Sequence, residues 1–430
     1  MQKNVIQTII FLLCMLLLAG CGGGSDASSD ADVDDTAAAL DFNGPVSRAV
    51  LDAYLSRAVT MSDLLRPDSF FADYGFYGVF ARQLDFIAAV RPLFIGRAML
   101  VWAMESMFTA HMSGIEDRVA HIHAIDDRII VQGAIFEAVS TEVETISIPA
   151  FVFEAFGLTP ESRPFSYAAM LFADQKDQFG PGISVPDISQ LETRLWYYYV
   201  AVCFIDAGLE AIHLGQLDWV SEDDADKADT ADLIARIRGY AETYARRGWV
   251  LLDAHTHGLK RGSDLLLDFH SSPLRLYLSD AASTGVDISP QWPQPTSTAS
   301  TSIYGRSLGG RNPGGWTTNA NPYLVEFDHG YSQGSVDQNT GPEFIEGLDE
   351  ITWLSVQSTT DQSTILQYLQ TRVQQIDAAG HLQPAAMRPI WTNHVEQADT
   401  WYFACAPDND FPWGADQEAV IAALWGAVEE

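Results

Sequence analysis

From residue 94 onward, short runs rich in Ile, Val, Leu and Phe alternate with longer segments of helical spacing, a pattern few architectures accept. The runs read as strands are 94–104, 128–136, 167–172, 210–217, 248–254, 265–269, 323–327 and 351–356. Amphipathic helices fill several of the intervals, notably 191–208, 231–248 and 361–380, while residues 45–93 read as helical throughout. Strand and helix in turn give βα units on a mostly parallel sheet. Eight such strands predict an α/β chain closed as a (β/α)8 TIM barrel, with an N-terminal helical segment and long active-face loops. A doubly wound open sheet is the alternative. The link between the fifth and sixth strands is too short for a helix. The stretch from Ser271 to Asn321, crowded with Pro, Ser, Thr and Gly, is a long connection of the kind that carries function.

Polar residues gather where these strands end. The fourth ends in Gln216 and Asp218, the fifth in Asp253, His255 and His257, the sixth in Asp268 and His270, and the seventh in Glu326 and Asp328. Members spaced by two share a strand face. Glu137 ends the second strand, and Trp353 lies on the eighth. One polar pair at a strand end is an ordinary cap; four on successive strands are not. In a barrel they would meet at the mouth, where like charge and burial separate carboxyl pKa values into a proton donor and an ionised partner. Glycoside hydrolysis asks for that pairing. Trp219, Trp249, Tyr323, Trp353 and Trp316, the last in a Gly-rich loop, offer faces on which sugars stack.

The arrangement resembles TIM-barrel glycoside hydrolases. In the large retaining clan the acid/base ends the fourth strand and the nucleophile the seventh, which by position implies Asp218 and Glu326. That clan has Asn-Glu on the fourth strand, whereas this chain has Leu217-Asp218. The expected catalytic carboxylates are therefore Glu326 with Asp253 or Asp268. Glu137, Gln216, Asp218, His255, His270, Asp328, Trp316 and Trp353 are expected to bind substrate. No cofactor or metal is expected.

Two rival readings remain. DAHTHG (253–258) resembles the HxH motif of amidohydrolases, so His255 and His257 could instead hold a divalent metal, completed by a carboxylate, His329 and His394. A non-catalytic glycan-binding lipoprotein would use the same cleft. HIH (121–123) falls in a helix, where its two His do not share a face. No GxGxxG follows a strand, which counts against a dinucleotide enzyme.

The N-terminus sets the address. One Lys precedes an apolar run over Val5–Ala19, shorter than a membrane span, and LLAGC closes it at Cys21. LLAGC resembles a bacterial lipobox, which implies cleavage after residue 20 and acylation of Cys21, with palmitate among the expected groups. Residues 21–42 are Gly-, Ser- and Asp-rich and read as a flexible acidic tether, leaving 43–430 as a single domain. The protein is expected to be exported and lipid-anchored, at the outer membrane, and to touch the membrane through that anchor only. A formal charge of −33 disfavours nucleic acid as a partner; a carbohydrate substrate is expected instead. Arg261, Arg275, Arg306, Arg311 and Arg388 lie in or near loops that could border the mouth and read an anionic glycan.

Overall fold

This computed structural model describes residues 40–290, 305–327, 345–346, 348–390 and 400–426. The chain divides into two compact units, Met1–Ala39 and Leu40–Glu430, and all described residues lie in the second. Cys21, Asp328, His329 and His394 fall outside them.

Ten strands position the site: β1 (Ala58–Met61), β2 (Phe94–Val101), β3 (Ile130–Ile135), β4 (Ala211–His213), β5 (Leu251–Asp253), β6 (His270–Pro273), β7 (Tyr323–Glu326), β8 (Gly380–Gln383), β9 (Ala385–Ile390) and β10 (Thr400–Phe403). One sheet has the order β10-β9-β1-β2-β3-β4-β5, and a second the order β6-β7-β8. All neighbours pair in parallel except β10, which is antiparallel to β9. The two sheets meet on both sides. Ser271 N donates to Ala254 O at 2.9 Å and His255 bridges Ser271 in parallel, joining β5 to β6. On the other side β8 runs through Pro384 directly into β9, and Thr60 N of β1 reaches Pro384 O at 2.9 Å.

The strands are buried along nearly their whole length, as parallel strands covered on both faces must be. The covering helices are α1 (Arg48–Leu55), α2 (Val79–Val90), α3 (Ile115–Ile125), α4 (Leu191–Asp206), α5 (Ala228–Tyr244), α6 (Thr359–Ile376) and α7 (Glu418–Leu424). Helix α4 buries Leu195, Trp196, Tyr197, Val200, Ala201 and Phe204. Its approach to β3 is close enough that a Cβ on Gly133 would lie 2.6 Å from the Phe204 ring. Ser358 starts α6, its hydroxyl accepting from Asp361 N at 3.2 Å.

Several strand expectations fail for local reasons. Residues 351–356 are helical (Glu350–Ser355), because Asp349 Oδ1 accepts from Thr352 N at 2.8 Å and caps a helix where the apolar run suggested a strand. Residues 167–172 hold a 3-10 turn over Tyr167–Ala169. Within 45–93 the short run Ala58–Met61 is a strand, β1, flanked by α1 and α2. The last parallel strands, β8 and β9, lie at 380–390 after α6, and 265–269 precedes the true strand β6.

That shift relocates Asp268. It lies two residues before β6, at the end of the sheet opposite the one expected. There its Oδ2 accepts from Leu252 N at 2.8 Å and from Arg238 at 2.9 Å, and its Oδ1 from Trp249 Nε1 at 3.3 Å. Burial raises its pKa, and Arg238 only partly offsets this. Asp268 is thus a structural carboxylate under the sheet and not a member of the site. Asp268→Ala strands the buried Arg238 cation, and urea unfolding is expected to register a loss of about 3–5 kcal/mol. Asp264→Ala, which removes only an exposed pair with Arg311, should leave the midpoint in place.

Candidate functional site

Isolated polar residues interrupt the apolar strands, and they converge. Arg97 on β2, Gln132 on β3, His213 on β4, Asp253 on β5, Ser271 on β6, Glu326 on β7, Gln383 on β8 and Arg388 on β9 are all buried. Asp253 is saturated: Gln132 Nε2 donates to its Oδ1 at 2.6 Å, while His213 Nδ1 (2.8 Å) and Ser271 Oγ (2.6 Å) donate to its Oδ2. Glu326, 0 % exposed, takes both Nε and Nη2 of Arg97, His255 Nε2 at 2.5 Å, and an ion pair with Arg388 at 3.5 Å. Burial pushes the Glu326 pKa up. Arg97 first, then His255 and Arg388, outweigh burial and hold the carboxyl well below its usual range.

Arg97 reaches this position at a conformational cost. Its φ is +63°, a left-handed value uncommon for a side chain of this size, and the β2–β3 register shifts between Ile95 and Met99. The kink turns its backbone N–H to Gln132 Oε1 (3.2 Å) and sets the guanidinium over Phe136. The preceding Gly96 permits it, since a Cβ there would lie 2.3 Å from Gln383 Nε2.

The segment after β5 connects a second carboxyl to the first. His255 bonds Glu326, and the next residue, Thr256, donates its hydroxyl to Asp218 Oδ2. Asp218 sits on the short helix Leu217–Val220 after β4, and burial raises its pKa, only partly countered by Thr256 and by the nearby His257. Glu137, after β3, accepts from Gln216 N at 3.1 Å and from Gln216 Nε2 at 3.3 Å. These groups all follow the C-terminal ends of parallel strands. So do Trp102 after β2, Phe179 between β3 and α4, and Trp219 after β4; their rings meet at 5.0 and 5.8 Å and remain partly exposed.

Other expected residues lie elsewhere. His270 is buried, stacked on Tyr323 at 5.0 Å with Nε2 on Ser307 Oγ at 2.9 Å. Trp316 donates to Val46 O at 3.1 Å and packs against the cluster around α1. Trp353 is buried on its helix with Nε1 on Glu346 at 2.8 Å. Among the described residues no three His, Cys, Asp or Glu group as metal ligands. Arg97 Nη2 stands 3.0 Å from His255 Nε2, a cation where a divalent ion would have to sit. Arg97, Gln132, His213 and Ser271 escape a search of strand ends; their signal is a lone polar residue inside an apolar run.

Burial, and then Arg97, lowers the His213 pKa to about 4; burial, and then His257, lowers that of His270 to about 3. Both are neutral when folded, whereas unfolded they take a proton below about 6.5. Stability is therefore complete above that pH and falls as pH drops toward 4, by about 1.4 kcal/mol per pH unit for each histidine. Glu326 adds no loss until pH falls below its usual range, because its folded pKa is lowered. Urea midpoints measured between pH 7 and 4 should fall less with acid in His213→Gln than in the wild type, the raised carboxyls Asp218 and Asp268 acting in the opposite sense in both.

No family model matches the chain, and no curated protein matches it. Among solved structures, the native form of the Nostoc punctiforme debranching enzyme is similar at 11 % identity and TM-score 0.31, over 54 % of this chain and 53 % of that one. Eubacterium rectale Amy13B is similar at 13 % identity and TM-score 0.28, over 47 % and 43 %. The Bacillus licheniformis trehalose-6-phosphate hydrolase is similar at 10 % identity and TM-score 0.30, over 76 % and 57 %. The chain thus matches under two thirds of the length of each, and likenesses this distant assign it to no family.

Proposed function

We propose that Leu40–Glu430 closes as an eight-stranded (β/α) barrel and hydrolyses glycosidic bonds of a polysaccharide or oligosaccharide. The barrel reading rests on the two junctions between the sheets, β5 to β6 and β8 through Pro384 to β9, which leave each of the eight parallel strands with a neighbour on both sides. The observation that carries the activity is a pair of carboxyls shifted in opposite directions at the same strand ends. Glu326 is held ionised by Arg97, and Asp218 is pushed toward the protonated form by burial. Consecutive residues, His255 and Thr256, tie them together. An ionised carboxylate and a protonated one are the base or nucleophile and the acid of this chemistry. The Trp102–Phe179–Trp219 shelf offers sugar faces a platform beside them. Asp253, with donors on both carboxylate oxygens, serves to hold its neighbours. The lipobox at Cys21 would place this hydrolase on a membrane surface outside the cytoplasm.

The complete burial of Glu326 favours a second reading, a glycan-capturing protein that does no chemistry. One assay separates the two: reducing-end release from neutral, uronic and sulfated polysaccharides by the full chain in mild detergent, with and without EDTA. A hydrolase releases ends in EDTA, loses about 10²–10⁴-fold in kcat on Asp218→Asn and at least as much on Glu326→Gln, and keeps binding. Binding without release, unchanged by either substitution, would leave only the capture reading. Activity abolished by EDTA would return the HxH metal site to contention.

A further inference from the structure

His213 closes β4 and is 0 % exposed. Its Nδ1 lies 2.8 Å from Asp253 Oδ2, an oxygen that also receives Ser271 Oγ, while Gln132 fills the other oxygen. An ionised carboxylate only accepts, so the proton of a neutral imidazole must sit on Nδ1. That leaves Nε2 as a bare lone pair. It is buried and has no hydrogen-bond partner among the described residues. An unpartnered buried acceptor is costly, a cost that a Phe of similar volume would avoid. Asp253, itself held by Gln132 and Ser271, fixes the ring in the orientation that incurs this cost. The groups facing it are Asp253, Arg97 and His255, whose ring lies 4.7 Å away and whose Nε2 is bonded to Glu326. Phe136, with its ring 5.4 Å off, is itself partly exposed at the strand ends, so His213 lies one residue beneath the face that carries Glu137 and the aromatic shelf.

We infer that His213 Nε2 is a fixed hydrogen-bond acceptor for a sugar hydroxyl beside Glu326, locked in that state by Asp253; this rests on the glycan reading above. Hydroxyl donors are what a carbohydrate presents in abundance, and an imidazole kept neutral reads them without ever competing as a donor. Asp253 and Ser271 are then positioning residues, which act on the ligand only through His213.

The test is long-range proton–nitrogen NMR on the full chain in detergent, labelled with 15N-histidine and assigned by the signal lost in His213→Gln. The probes are oligosaccharides cut from the neutral, uronic and sulfated polysaccharides of the panel. The expected free state has His213 protonated at Nδ1 alone from pH 7 down to 5, and the binding oligosaccharide shifts its Nε2 resonance. His213→Phe should weaken that oligosaccharide about 3- to 10-fold, with His213→Gln, which keeps an acceptor oxygen, falling between. Proton density on Nε2 in the free protein would overturn the inference, as would binding that leaves the Nε2 signal unmoved. If no oligosaccharide binds, the glycan reading itself fails and takes this one with it.

Discussion

Everything at the centre of this protein depends on the Arg97–Glu326 pair being made inside the sheets. A carboxylate with no exposed surface cannot stay ionised without a cation in contact, and a guanidinium buried on a strand is equally costly without an anion. Arg388 brings a second cation to the same carboxylate, and His213, whose pKa is lowered by burial, adds no charge beside them. Removing Arg97 or Glu326 leaves its partner without its nearest counter-charge. The left-handed backbone at Arg97, the shifted register of β2 and the bare Gly96 are the local geometry through which the chain meets that requirement.

Polar side chains stand on these strands where parallel strands buried on both faces more often carry branched apolar ones. Hydrogen bonds are directional, so Gln132, Ser271 and His213 fix Asp253 in one orientation, and Asp253 fixes them in return. Apolar packing would fill the same volume but leave ring and amide orientations loose. The preorganisation this gives is what a site for chemistry or recognition needs, and it comes from strands and not from loops.

The sequence carried the alternation of strand and helix and the carboxyl-rich strand ends, because both follow from side-chain periodicity. It was silent where tertiary contact decides. ITWLSV has the composition of a strand, yet a single Asp349 cap starts a helix there. Asp268 and His270 looked equivalent to Asp253 and His255, but β6 begins later than its apolar run, so both take structural partners. Glu326 was visible as a strand-end carboxylate; its partner Arg97 was hidden, since an arginine within FIGRAMLV gains its counter-charge only from a strand far along the chain. Trp316 looked like a loop platform and instead closes over α1 through Val46.

The pairing of β1 with β9 sets Thr60 beside Ala385, so the sheet joins strands from near both ends of the folded unit. During synthesis the residues that complete this neighbourhood emerge last. Arg97 then precedes Glu326 by more than two hundred positions and must wait, hydrated, for its counter-charge. Contacts so distant in sequence slow folding, because the loop between them must be ordered before they contribute. The β1–β9 pairing can therefore form only once the chain is nearly whole.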